Sequence, residues 1–164
     1  MTYDLHFFLR EPGQDWQEAF EIADLGGDDG TSAPGVGERI VERALQVDDG
    51  FVDSGGEIMH ENGMLMVCTN KIGSIHLPYR QSGEAGVRAI HQLFALGQIL
   101  GQETDLSGYD PQLDLPFADI TAADRAKAAE MYLSVNARFF DLPESGGVSS
   151  LTSGPRPRWK FWKR

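Results

Sequence analysis

Four histidines, one cysteine and a large excess of carboxylates are the side chains in this sequence with chemistry to offer. The histidines are His6, His60, His76 and His91, and of these His60 and His76 fall on what read as strands of one meander, where they could approach each other. A zinc site needs three or four ligands with supporting partners, and no HxH or HxxxH pair occurs, so no metal is expected. Glu57 and Glu61 flank one strand. General acid–base catalysis needs two carboxyls with separated pKa values in a pocket, and nothing local distinguishes this pair from a solvated acidic face. None of the serines sits in a GxSxG elbow. Cys68 is the single cysteine, which excludes an internal disulfide and a CxxC site. Within the apolar run Met64–Cys68 it reads as a small buried side chain. No catalytic residue and no cofactor is assigned, and a small enzyme built on a carboxylate or histidine pocket is the third-ranked alternative.

Binding chemistry is better represented than catalysis. The net charge is −11, but residues 155–164 hold Arg156, Arg158, Lys160, Lys163 and Arg164 and no acid. The other 154 residues carry nine basic and 25 acidic side chains, a net of −16. Such a body repels phosphates, which argues against nucleic acid as a partner, and it attracts a basic protein. The candidate contact residues are Asp24, Asp28, Asp29, Asp48, Asp49, Asp53 and Glu57. Neither group of aspartates has the alternating spacing of an EF-hand loop. The glycine-rich stretch 26–37 lacks the Lys-Ser or Lys-Thr pair of a phosphate loop. The chain ends with Arg158, Trp159, Lys160, Phe161, Trp162, Lys163 and Arg164. Aromatics interleaved with cations suit weak membrane-surface contact, docking on the acidic body, or contact with a partner.

These side chains must be placed by regular elements. Tyr3–Leu9 alternates as a strand, with Tyr3, Leu5, Phe7 and Leu9 on one face and Asp4, His6 and Phe8 on a second, partly exposed face. Exposed aromatics on the Phe8 side could support a dimer. Asp15 with Glu18 opens a helix carrying Trp16, Ala19, Phe20 and Ala23 on one stripe, which Gly26-Gly27 ends. A short helix over 37–47 and a turn-rich stretch through Gly56 follow. Three strands come next, Glu57–His60, Met64–Thr69 and Ser74–Tyr79, with Asn62-Gly63 as a hairpin signal. Glu84–Gln102 is a deeply buried helix, in which Gly97 and Gly101 mark either close packing or a frayed end. Tyr109-Asp110-Pro111 suggests an edge strand, and Thr121 with Asp124 starts a last helix to about Phe140.

The order β-α-α-βββ-α-β-α, with tight turns that force antiparallel pairing, gives an α+β fold: an antiparallel sheet with helices packed on one face. Residues 1–143 are expected to form a single domain, followed by a Ser/Gly/Pro-rich linker over 144–157 and the basic-aromatic tail over 158–164. The N-terminus has no basic region followed by an apolar run, no apolar run reaches membrane-spanning length, and a cytoplasmic location is expected. The opening Tyr3-Asp4-Leu5-His6-Phe7-Phe8, together with Tyr109-Asp110-Pro111-Gln112, resembles a loose set of small bacterial proteins that begin with a Tyr-Asp-Leu-x-Phe-Phe/Trp strand and later carry Tyr-Asp-Pro-Gln. Some of these resemble immunity proteins of polymorphic toxin systems. The resemblance implies a bacterial cytosolic inhibitor and assigns no active site. The leading expectation is thus a non-catalytic module that neutralises a basic protein. The runner-up is a membrane-peripheral or assembly adaptor acting through the tail.

Overall fold

The computed structural model describes residues 1–25 and 34–140. The alternation at the N-terminus produces β1 (Thr2–Phe8), with Tyr3, Leu5 and Phe7 fully buried. This first strand lies inside the sheet. It pairs antiparallel with β5 (Ile72–Pro78) on one side and β6 (Ser107–Asp110) on the other. Beyond β5 come β4 (Leu65–Cys68), β3 (Glu57–His60) and the edge strand β2 (Phe51–Asp53). Beyond β6 lies β7 (Leu115–Pro116). All pairings among the described residues are antiparallel; short turns impose this on β2–β3, β3–β4, β4–β5 and β6–β7, whereas β1 reaches β5 and β6 through long connections.

Among the described residues, four helices pack against this sheet: α1 (Trp16–Leu25), α2 (Val36–Val47), α3 (Gly83–Glu103) and α4 (Ala122–Phe140). Their starts follow from local chemistry. The Asp15 carboxylate accepts the Gln17 and Glu18 amides at 2.9 and 3.2 Å, satisfying donors that have no partner within the helix. Thr121 and Asp124 cap α4 reciprocally: Asp124 accepts the Thr121 amide and hydroxyl, and the Thr121 hydroxyl accepts the Asp124 amide. α3 is the central helix. Ile90, Leu93, Phe94, Leu96 and Leu100 are buried against Tyr3, Leu5, Phe7, Ile75 and Leu77 of the sheet. With α2 and α4 on either side, α3 closes the main core.

α1 occupies the other face. Its Trp16 and Phe20 ring edges meet Phe8 at 5.8 and 5.9 Å, and Phe20 also meets His6. Phe8 is therefore buried, where the sequence suggested an exposed aromatic face for dimerisation. Trp16 and Phe20, one helical turn apart, cover it from above. Trp16 also stacks on Tyr109, with the Arg10 guanidinium over the ring.

Other expectations are corrected by pairing. The turn-rich stretch before Gly56 contains β2, whose Phe51 is buried. Three residues among Asp and Gly carry little strand signal of their own, and β3 supplies the hydrogen bonds. Tyr109-Asp110 is not the sheet edge, because β7 pairs outside it. His60 and His76 do not meet. His60 lies opposite buried Phe51, on the helix-covered face, and His76 lies opposite Leu65 on the reverse face. Gly97 is a close-packing site, since a Cβ there would lie 2.7 Å from the Phe117 ring, and α3 continues past it to Glu103.

Candidate functional site

α2 is tied to α3 along one flank. Arg39 and Arg43 reach Glu103 at 2.8 and 2.7 Å, and Arg43 also reaches Gln102. The hydrogen bonds from Arg39 and Arg43 hold the Glu103 carboxyl below the usual range. Ile40 and Ala44 turn inward to the core. The remaining flank of α2 does not close on the sheet, and a cavity of about 630 Å³ lies between it and the β2–β3–β4 end. Ile58, Met66 and Cys68 of the sheet line it opposite Ile40, Val41 and Leu45 of α2. The ionisable acid side chains on its wall are Glu38, Glu42 and Asp53, and no Lys, Arg or His joins them among the described residues. The volume falls within the range of ligand sites, about 300–1,000 Å³. An apolar floor with a carboxylate wall suits a segment that presents a large apolar side chain beside a cation.

The acidic residues singled out in the sequence divide among different settings. Asp48 ends α2, and both its oxygens are used internally: Oδ1 accepts the Gly50 amide at 2.9 Å and lies 3.3 Å from His60 Nε2, while Oδ2 accepts the Gln92 amide nitrogen at 2.6 Å. Gln92 in turn accepts from Asn62, so the network locks the end of α2, the β3–β4 hairpin and α3 together. The Gly50 bond, then the His60 and Gln92 bonds, hold Asp48 below its ordinary pKa. Asp49 is exposed in the turn before β2. Asp53 accepts the Gly56 amide at 3.2 Å and lines the cavity. Glu57 is exposed at the start of β3, on the face of its partner Val67, away from the cavity. Asp24 lies in α1 with its side chain outside the described residues. Asp28, Asp29 and the tail residues Arg158–Arg164 are also outside them. Glu38 and Glu42 were missed. Their signal was present as an i, i+4 acidic pair on the helix that also carries Val41 and Leu45.

A second cluster occupies the reverse face. His76 Nδ1 lies 2.8 Å from Asp4 Oδ1, and His76 Nε2 lies 3.0 Å from Ser74 Oγ. With Nδ1–H donated to Asp4, Nε2 accepts the Ser74 hydroxyl, the same order of contacts that activates a serine nucleophile. Ser74 lies in the middle of β5, between β4 and β1, so the neighbouring backbone amides are committed to the ladder rather than free to form an oxyanion hole. The cavity is on the opposite face. The chain Asp4–His76–Ser74 is a cross-strand brace.

His6 sits beside this brace, 6.3 Å from the His76 ring and under Phe20 of α1. Burial lowers its pKa, with His76 adding to the effect and Asp4 opposing it. A histidine whose pKa is lower folded than unfolded binds fewer protons when folded, so stability falls as pH drops below about 6.5. The fall is complete once the lowered folded pKa is passed. Asp4 acts lower still: burial raises its pKa, but bonds from His76 and Thr2 outweigh that, and its contribution is lost below the ordinary carboxylate range. Melting temperature measured between pH 7 and 5 is expected to drop in the parent chain and to drop less in His6→Gln. Equal drops would place the titration elsewhere.

The opening strand and the Tyr109–Gln112 segment meet in space. The Tyr3 hydroxyl donates to buried Asp110 Oδ2 at 2.7 Å, and the Asp4 amide donates to Gln112 Oε1 at 3.2 Å. Asp110 Oδ1 accepts the Gln112 and Leu113 amides. These side chains hold β1 to the turn after β6. No family model matches this chain, and neither curated proteins nor solved structures provide a match. Among the described residues, no group of three or more His, Cys, Asp or Glu side chains could hold a metal ion, and no helix is long and apolar enough to cross a membrane.

Proposed function

We propose that this chain is a non-catalytic binding module that engages a basic protein partner through the acidic end formed by α2 and the β2–β3 edge. Its sharpest form is an inhibitor of the immunity-protein type, made in a bacterial cytoplasm and masking the functional surface of a basic toxin or enzyme. The observation that carries the reading is the cavity whose floor is apolar and whose ionisable wall residues among the described ones, Glu38, Glu42 and Asp53, are all acids. The exposed Leu45 beside it adds apolar area at the mouth. A partner segment with one large apolar side chain and flanking Lys or Arg satisfies both features. Its charges shorten the search, and its apolar side chain slows release.

Affinity capture from lysate at low and high salt, with the parent chain and with Glu38→Lys/Glu42→Lys/Asp53→Lys, tests the reading. A basic protein is expected to be recovered by the parent at low salt and lost at high salt. The triple variant should slow its association by roughly 10–100-fold, the scale of electrostatic steering. Capture that is indifferent to salt and to the three substitutions would move the contact away from this surface.

A further inference from the structure

We propose that in the free protein the cavity between α2 and the β2–β4 end of the sheet is filled by the chain's own C-terminal segment Arg158–Arg164, which a partner must displace. The proposal rests on the reading of that cavity as a seat for a basic, apolar segment, and adds what holds it when no partner is present. The seat offers an apolar floor from Ile58 and Met66 and three carboxylates, Glu38, Glu42 and Asp53. Trp159, Phe161 and Trp162 alternate with Arg158, Lys160, Lys163 and Arg164 in the last seven residues, which contain no acid. Aromatic rings match the floor, and the cations match the wall.

The chain is long enough to make the connection. α4 runs antiparallel to α3: Phe117, just before it, packs by Gly97, whereas Asn136 near its end donates to the Gln81 carbonyl just before α3. The end of α4 therefore lies at the start of α3, while Arg39 bonded to Glu103 places the cavity side of α2 at the finish of α3. The 21 residues of α3 span about 30 Å at ~1.5 Å per residue. Arg158 is 18 residues past Phe140, a reach of about 60 Å when extended. The tether spans the gap with slack, and tethering at this length supplies an effective concentration of roughly millimolar order. A contact too weak to be detected between separate molecules is then substantially filled within one.

The test places a photo-crosslinking residue in the full chain, Phe161→p-benzoylphenylalanine, and maps the products by digestion and mass spectrometry. An isotope-labelled copy is mixed in to separate links within one chain from links between two. The expected product joins position 161 to α2 or to β3–β4 of the same chain. Its yield should fall on the order of tenfold in 1 M salt, where screening acts over about 3 Å, and similarly with Glu38→Lys/Glu42→Lys/Asp53→Lys. Links elsewhere on the body, links only between copies, or no link at all would overturn the proposal. Capture experiments on the same chains keep the two readings apart. Failed tail docking leaves partner capture sensitive to the three substitutions, whereas a failed partner reading leaves the intramolecular link intact and the capture blank.

Discussion

Asp110→Ala is expected to destabilise the protein by about 3–5 kcal/mol, a large share of the ~5–15 kcal/mol that holds a domain of this kind together. The alanine removes the acceptor for three donors at once: the Tyr3 hydroxyl at 2.7 Å, the Gln112 amide at 2.9 Å and the Leu113 amide at 3.0 Å. Tyr3 and Asp110 are both fully buried, so water cannot replace the lost partner at the hydroxyl. A buried donor without an acceptor costs about 1–3 kcal/mol. Asp110→Asn separates acceptor geometry from charge. Its Oδ1 still serves the two turn amides, and the Tyr3 hydroxyl can turn to accept from the new amide. Burial pushes the Asp110 carboxyl upward in pKa, so removing its charge also relieves a desolvation cost. Urea unfolding should show a much smaller loss for the asparagine than for the alanine. Equal losses would mean that these hydrogen bonds are not what Asp110 contributes.

The same substitution is expected to have opposite signs at two positions four residues apart in α3. Glycine to alanine favours a helix by about 1 kcal/mol. At Gly101 the new methyl meets only a Phe7 ring atom at 3.9 Å, an ordinary contact, so Gly101→Ala should stabilise the fold by up to about 1 kcal/mol. At Gly97 the methyl would lie 2.7 Å from two ring atoms of Phe117 and 3.1 Å from Leu5. Phe117 cannot easily yield, because it stacks on Phe94 and packs at 5.4 Å against Phe7, both buried. Overpacking of about 1–3 kcal/mol outweighs the gain in propensity, and Gly97→Ala should lower the melting temperature. A stabilised Gly97→Ala would mean that Phe117 has room to retreat.

The α+β fold was legible because its signals were local. Tyr3, Leu5 and Phe7 alternated, Asn62-Gly63 marked a hairpin, and Thr121 with Asp124 marked a helix start. What escaped the sequence depended on pairing partners. The strand Phe51–Asp53 exists because β3 lies beside it. α1 crosses to the reverse face because Phe8 and Tyr109 offer rings for Trp16 and Phe20, and no period within α1 encodes which face of the sheet it covers. The candidate site was half legible. Acidity near residues 48–57 was visible, but Asp48 turned out to be occupied internally. Glu38 and Glu42 gained their meaning only when α2 left one flank open against Ile58 and Met66. A run of acids in sequence does not reveal which of them share a surface.

The position of β1 has a consequence for the order of events during synthesis. Among the described strands, β1 is made before every other one, yet both its neighbours, β5 and β6, come much later in the chain. Thr2 pairs with Pro78, and His6 pairs with Tyr109, 103 residues later. At ~5–20 residues per second, the aromatic segment Tyr3–Phe8 waits about 5–20 s for its second neighbour. Until then it has an open backbone edge and uncovered rings, the features that recruit another copy. Its contacts are also among the most distant in the chain, which slows closure after release. The arrangement that leaves β1 paired on both sides in the finished molecule leaves it open while the molecule is being made.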